Sequence, residues 1–407
     1  MSLARFPLEQ HPLQSEFKQE LIRTADWWAT YTIDETNGGF VGEITDDNQV
    51  VEGASKGVIL NARILWFFSE AAQYIDNATY RACADRAFNY LSTYFVDTEF
   101  GGFYWELDAA GKPINTKKQV YAQAFVIYAL SSYYQLTQNE QALTLALNTF
   151  ELVEEKAIDR EREGYLEAFT REWGLIEDLR LSDKDLNFPK SQNTHLHVLE
   201  AYTRLAIVEP SENIKSALRY NIEMFDKYMI NRENYHLRMF LDLEWQDYSP
   251  GFTYGHDIEA AWLIAKALDA LGDDDYTKKL TPDLIKVAET TAKEGIGEHG
   301  QVLDAYHFAS KSISPDTVWW VQAEAVVGFL YAYVATQEKH YLHIAENVWS
   351  FIKKYQMNHE NGEWYWLSIL DQKPEVPNYK VGFWKCPYHN GRAMIEAALY
   401  LEQAVIE

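Results

Sequence analysis

Apolar residues recur at three- and four-residue spacing through long stretches of the chain: Gly57 to Ala72, Thr79 to Tyr94, Val120 to Leu136, Gln141 to Glu154 and Thr194 to Ile207. These stretches are rich in Ala, Leu, Glu, Lys and Gln, so the pattern predicts α-helices. Between pairs of helices the pattern changes to short alternating elements with glycines and aromatics. These are Asn37 to Glu43, Phe100 to Glu106, Glu163 to Phe169, Tyr235 to Phe240, His299 to Asp304 and Asn361 to Trp366. Aligning Gly39, Gly102, Gly164, His236, Gly300 and Gly362 gives intervals of 63, 62, 72, 64 and 62 residues. Such regular spacing marks a repeat architecture. Each unit has room for one extended hairpin and two helices. An open solenoid needs atypical capping repeats, and none is evident. The expectation is therefore an all-α (α/α)6 barrel, closed into a ring, with residues 1–407 as a single domain.

In every unit the helix after the hairpin opens with polar or aromatic groups: Asn61 and Arg63; Tyr121 and Gln123; Asn193 and His197; His256 and Glu259; Trp320, Gln322 and Glu324; Trp384, His389 and Arg392. If these are the inner helices, residues more than 300 apart in sequence share one cavity. One such cluster is readily explained by an acidic helix N-terminus. Six at the same phase point to a site.

Composition narrows the partners. The formal charge is −25, from 61 acidic and 36 basic residues, and such a field disfavours nucleic acid and anionic membrane surfaces. No stretch approaches the roughly 18 uninterrupted apolar residues of a membrane span. The opening Met1-Ser2-Leu3-Ala4-Arg5-Phe6-Pro7 lacks the apolar run of a signal peptide. The reading is a soluble, cytoplasmic protein, monomer or homodimer. Cys83 and Cys386 are far apart and lack metal-ligand spacing. The 13 Trp and 27 Tyr supply core volume and, in a pocket, faces on which a sugar ring stacks.

Local spacing then selects the chemistry. His195 and His197 are two apart, so on a helix they diverge by about 200° and do not share a metal ion. Asn193 and His197, four apart, do share a face, which assigns His197 to the cavity and His195 to the core. Trp320 and Glu324 likewise pair a stacking platform with a carboxylate. Pro387 suits the first turn of a helix carrying His389 and Arg392 on one face. Arg63, in an apolar segment, needs either an ion-pair partner or a substrate oxygen on which charge develops. With no metal or cofactor motif, two chemistries fit. Glu259 and Glu324 are candidates for the two carboxylates of an inverting glycosidase. The imidazoles suit an epimerase or isomerase that removes and returns a proton beside a carbonyl. A non-catalytic glycan-binding barrel is the third reading.

Across nearly the whole chain the sequence resembles the N-acylglucosamine 2-epimerase superfamily, and most closely its cellobiose 2-epimerases. The resemblance rests on Asn61-Ala62-Arg63, Tyr121-Ala122-Gln123-Ala124-Phe125, Asn193 to Tyr202, Gly255-His256-Asp257-Ile258-Glu259, Trp320 to Glu324, and Phe383 to Asn390. Asp178 to Asp185 also looks like the disaccharide-acting members, and Val321 stands where many members carry proline. The resemblance implies an (α/α)6 fold and cofactor-free interconversion of reducing-end glucose and mannose in β-1,4-linked disaccharides such as cellobiose and lactose. It implies that His256 and His389 are the acid/base pair at C2, and that His197 assists ring opening or proton shuttling on the enediol. By the same carry-over Arg63, Asn193 and Tyr121 bind sugar oxygens, Glu259 orients His256, Glu324 supports the site, and Trp320 and Trp384 stack on sugar. Relatives acting on free mannose make a monosaccharide 2-epimerase or aldose–ketose isomerase the alternative. The segment from Arg171 to Gln192, if it folds over the mouth, decides whether a second sugar fits.

Overall fold

A computed structural model describes Pro7, residues 11–373 and residues 379–406; the Met1 to Phe6 segment lies outside them. Twelve α-helices occur among the described residues. Six form an inner ring: α2 (Val58–Tyr74), α4 (Val120–Thr137), α6 (Gln192–Val208), α8 (Tyr254–Leu271), α10 (Trp319–Thr336) and α12 (Tyr388–Ile406). Six lie outside: α1 (Pro12–Tyr31), α3 (Ala78–Tyr90), α5 (Glu140–Lys156), α7 (Glu212–Met224), α9 (Asp274–Glu294) and α11 (Lys339–Phe351).

The difference between the rings is written in the side chains. In α4 all of Val120 to Tyr133 is buried, an apolar surface on every side, as a helix with neighbours all round requires. In α7 the apolar buried positions are Ile214, Ala217, Leu218, Ile222 and the terminal Met224, the first four a stripe at helical spacing with polar residues opposite. Each inner helix packs on the next, and α12 packs on α2. Outer helices pack on the inner helix that precedes them in the chain, while α1 serves α12. The ring is thus closed by the two chain ends. Ile44 pairs with Val381, Trp27 donates its indole N–H to Asn361 O (2.9 Å), and Trp364 donates to Glu20 (2.6 Å).

All six predicted hairpins are present, bridged between Ile33 and Phe40, Val96 and Phe103, Ile158 and Tyr165, Ile230 and Leu237, Ile296 and Val302, and Met357 and Trp364. Their glycines answer to geometry. Gly102 has φ +70°, and a Cβ there would stand 2.9 Å from both Gln123 Oε1 and the Trp173 ring. The fourth residue of several inner helices ties the hairpin backbone. Gln123 bonds Phe103 N and O (2.9 and 3.0 Å), Gln322 bonds Val302 N and O (2.9 and 2.6 Å), and Asp257 accepts from Leu237 N (2.8 Å). His195 accepts from Tyr165 N (2.9 Å). Of the polar groups at the helix starts, Gln123 and Gln322 therefore hold the scaffold together.

Candidate active site

Phase along the inner helices decides which side chains reach the cavity. The second and sixth residues of a helix lie four apart and share a face, whereas the fourth points about 200° from the second. The second place holds Tyr121, Asn193, Trp320 and His389. The sixth holds Arg63, His197, Glu259 and Glu324. In α8 the second residue is Gly255, where a Cβ would meet the Trp320 ring at 2.6 Å. The glycine lets Trp320 lie across α8, and His256 takes the third place.

Together these positions enclose a cavity of about 410 Å³ at the N-terminal ends of the inner helices. Nine of the ten predicted site residues line it: Arg63, Tyr121, Asn193, His197, His256, Glu259, Trp320, Trp384 and His389. Glu324, expected among the substrate-binding groups, does not. It lies beneath His389, fully buried, with Oε1 on His389 Nδ1 (2.6 Å) and Oε2 accepting from the Trp262 indole (3.1 Å). Trp384 reaches the cavity from the loop before α12, since that helix begins at Tyr388 and Pro387 precedes it.

The three cavity histidines share one arrangement. Each is anchored through Nδ1: His197 to Glu200 (3.0 Å), His256 to the Thr253 hydroxyl (2.6 Å) and His389 to Glu324. Among the described residues no protein group bonds Nε2 of any of them. His256 and His389 both pack against Trp320, with ring centroids 4.8 and 5.5 Å from it. Burial pushes His256 down to about 4, more strongly than the Glu259 carboxylate opposes. Burial, with the Arg63 and Arg392 guanidinium groups, holds His389 well below the ordinary range. Both rings are neutral at pH 7 and able to accept a proton.

The expectation that Glu259 orients His256 is not met, because Thr253 holds that ring. Glu259 Oε1 accepts from Arg392 Nη2 (2.5 Å), and its Oε2 has no partner among the described residues. Arg392 also donates to Glu324 (2.7 Å) and to Glu200, so one guanidinium serves three buried carboxylates. Burial raises Glu324, and Glu259 and Glu200 add to the effect against Arg392, so its carboxyl stays well above the usual carboxylate range. Burial acts in the same direction on Glu200, but Arg392 and His197 outweigh it and hold that group at about 2. Spacing in the sequence offered one clue to this layer, Glu200 standing three after His197 on α6. The meeting of Arg392 with α6, α8 and α10 had none.

Oxygen and nitrogen atoms of Glu259, Glu324 and His389 lie within 4.8 Å of one another, a spacing compatible with a cation. Arg392 already places a positively charged nitrogen against both carboxylates. Arg63 differs from Arg392. It is 2% exposed and has no carboxylate within ion-pair distance among the described residues. Its Nη2 donates to Tyr121 Oη (2.8 Å), its plane rests on Phe125 and Tyr388 (4.2 and 4.6 Å), and Nε has no partner. A buried cation of this kind stabilises negative charge that develops on a bound molecule.

Over the mouth lies the segment that follows the third hairpin. Arg171 grips Asp97 with two bonds (2.9 and 3.0 Å), and Lys117 and Gln119 donate to Arg180 O and Leu179 O (3.2 and 3.1 Å). Leu181 to Asp185 thereby form part of the cavity wall, within the segment expected to fold over the mouth, whereas Trp366 and Tyr379 line the cavity from parts of the chain that carried no signal of it.

A double ring of helices with imidazoles, a buried guanidinium and tryptophan platforms at one end is an (α/α)6 barrel enzyme built for a sugar. Residues 38–390 match the family of N-acylglucosamine 2-epimerase (GlcNAc 2-epimerase). A cellobiose 2-epimerase of Bacteroides fragilis is 40% identical over 94% of this chain and 98% of its own length. The solved cellobiose 2-epimerase of Bacillus thermoamylovorans superposes with a TM-score of 0.90 at 36% identity, covering 95% of this chain and 99% of that one. A D-mannose isomerase of Marinomonas mediterranea is more distant, 25% identical over 89% of this chain and 91% of its own. The chain belongs to the N-acylglucosamine 2-epimerase family. It is a carbohydrate epimerase, similar to the cellobiose 2-epimerases.

Proposed function

We propose that the protein interconverts glucose and mannose at the reducing end of β-1,4-linked disaccharides such as cellobiose and lactose, by removing and returning the C2 proton through an enediol. The observation that carries this reading is the pair of buried imidazoles, His256 and His389, both packed beside Trp320 and each tied back through Nδ1. Inverting a carbon needs proton removal on one face and delivery on the other. One imidazole therefore accepts the C2 proton as a neutral base, while the other, carrying a proton taken up from solvent or left by the preceding turnover, delivers it to the opposite face. His197, backed by Glu200, moves the proton between ring oxygen and O1 as the sugar opens. Arg63 faces the enediolate oxygen, where its unpaired charge has most effect. Tyr121 and Asn193 hold neighbouring hydroxyls, and Trp320 and Trp384 stack on the sugar. Glu324 positions His389, and Glu259 with Arg392 completes the charge beneath.

The cavity continues past the imidazoles to Trp384, Tyr379 and the Leu181 to Asp185 wall, which favours a second sugar ring over a free hexose. The glycosidase reading fits the geometry poorly. Inverting hydrolysis uses carboxyl groups about 6.5–9.5 Å apart on either side of the scissile bond. Glu259 and Glu324 instead have oxygens within 4.8 Å, converging on one guanidinium below the cavity.

Cellobiose in D₂O tests the proposal. The expected product is glucosyl-mannose carrying deuterium at C2, followed by NMR, with no free glucose. Release of glucose would restore the hydrolase, and accumulation of a ketose labelled at C1 would favour the isomerase. The pH profile is a second test. Since His256 is held at about 4 rather than the ordinary 6.5, the acid limb of kcat/KM is expected near 4. A limb at 6.5 would mean that the essential base is not this buried ring.

A further inference from the structure

Beneath the mouth segment is a second, much smaller space of about 40 Å³. Its lining includes Glu167, Gln192, Asn193 and His256, together with Arg180 and Asp185 of the mouth segment. Four buried polar atoms there have no protein partner: Glu167 Oε1, both amide atoms of Gln192, and Asn193 Oδ1. Glu167 is 4% exposed and Gln192 1% exposed, so bulk water does not satisfy them. The other Glu167 oxygen accepts from the Thr194 hydroxyl (2.6 Å), which fixes the carboxyl in place. Leaving such atoms unpaired in a dry interior is costly. A site with both donors and acceptors and this volume suits about two waters and no sugar ring.

We propose that this nook holds ordered waters, positioned by Glu167 and Gln192, through which His256 exchanges the proton it takes from C2. His256 belongs to the wall of both the nook and the main cavity, whereas His389 borders only the main cavity. His389 is instead enclosed by Glu324, Trp319, Trp320 and Tyr388. The exchange is balanced: one proton passes from the imidazolium to a nook water and another returns from water to the ring, leaving every charge as before. In D₂O the returned particle is a deuteron. His389 does not border the nook, so its proton lacks this route. Glu167 and Gln192 are positioning residues in this scheme, acting through water, and the inference rests on the two-histidine epimerisation proposed above.

The experiment compares exchange with inversion. Glucose-ended and mannose-ended disaccharide are each incubated in D₂O to low conversion, and deuterium at C2 is measured in recovered substrate and in product. The epimer deprotonated by His256 is expected to regain deuterium without inverting, several-fold more than the other. Gln192→Met, which fills the nook without altering a group in the main cavity, is expected to abolish that difference while epimerisation continues. Glu167→Gln, which keeps the side-chain shape, is expected to reduce it. A purely structural role would change the turnover of both epimers and leave the ratio of exchange to inversion as it was. Conversion with no difference between epimers in the native protein, or with a difference that neither substitution moves, overturns the inference alone. Absence of any epimerisation overturns the parent reading as well.

Discussion

Arg392→Met is expected to destabilise the protein by about 3–5 kcal/mol, the usual cost of stripping one partner from a buried ion cluster. Arg392 is 1% exposed and donates to Glu200, Glu259 and Glu324. Without it, three carboxyl groups share a dry space with no guanidinium between them. Glu324, already pushed up by burial, and Glu200, no longer held down by the guanidinium, are then expected to bind protons more readily in the folded state. A raised carboxyl pKa contributes stability that is present below the unfolded value and lost as pH rises through the folded one. The deficit is therefore expected to be larger at pH 8 than at pH 5, as measured by urea unfolding. Arg392→Lys is expected to recover little, because one ammonium on a flexible stem does not present the fork that reaches three carboxylates. A loss below about 1 kcal/mol, within the range of an exposed ion pair, would show that the cluster is solvated.

His389→Asn is expected to lower the epimerisation rate by about 10²–10⁴, the range that a positioned acid or base contributes. Asparagine keeps a polar group near Glu324 and Arg392 but has no basic nitrogen. The fold should survive, and the unfolding midpoint serves as the control. His256→Asn is expected to lose a similar factor, since either half of a two-faced proton transfer is required in both directions. The two substitutions together should cost little more than either alone, because they disable one step. Full activity in either single variant on cellobiose would remove that ring from the mechanism.

Much of this arrangement was legible from one dimension because it repeats. The glycines at 39, 102, 164, 300 and 362 mark turns that recur because each unit must reverse the chain between an outer and an inner helix. Helical phase then separates Asn193 and His197 from His195 before any contact is known, and the structure places the first two in the cavity and the third against Tyr165 and Ser191. Phase was less informative where both faces of a helix are buried. Gln123 and Gln322 look like cavity groups by composition, yet they sit at the fourth place and tie hairpins. Glu324 sits at the right phase but too deep, since α10 carries Trp320 above it and His389 crosses from α12.

Pairings between distant charges could not be read from spacing. Glu259 is three residues from His256, which made that pairing the natural expectation, but its partner Arg392 is 133 positions away. Likewise Glu167 and His256 come to share a small space only because the segment between the third hairpin and α6 folds back over the mouth. By itself the sequence determined the local and periodic features: which surfaces are apolar, hence which helices lie inside, how many units there are, and which residues stand at each helix start. Only the tertiary structure decided which carboxylate meets which cation and which ring borders the small nook beside the main cavity. Hydrophobic burial follows from the pattern along one helix, whereas a charge in a dry interior is satisfied by whatever partner the closed ring delivers to it.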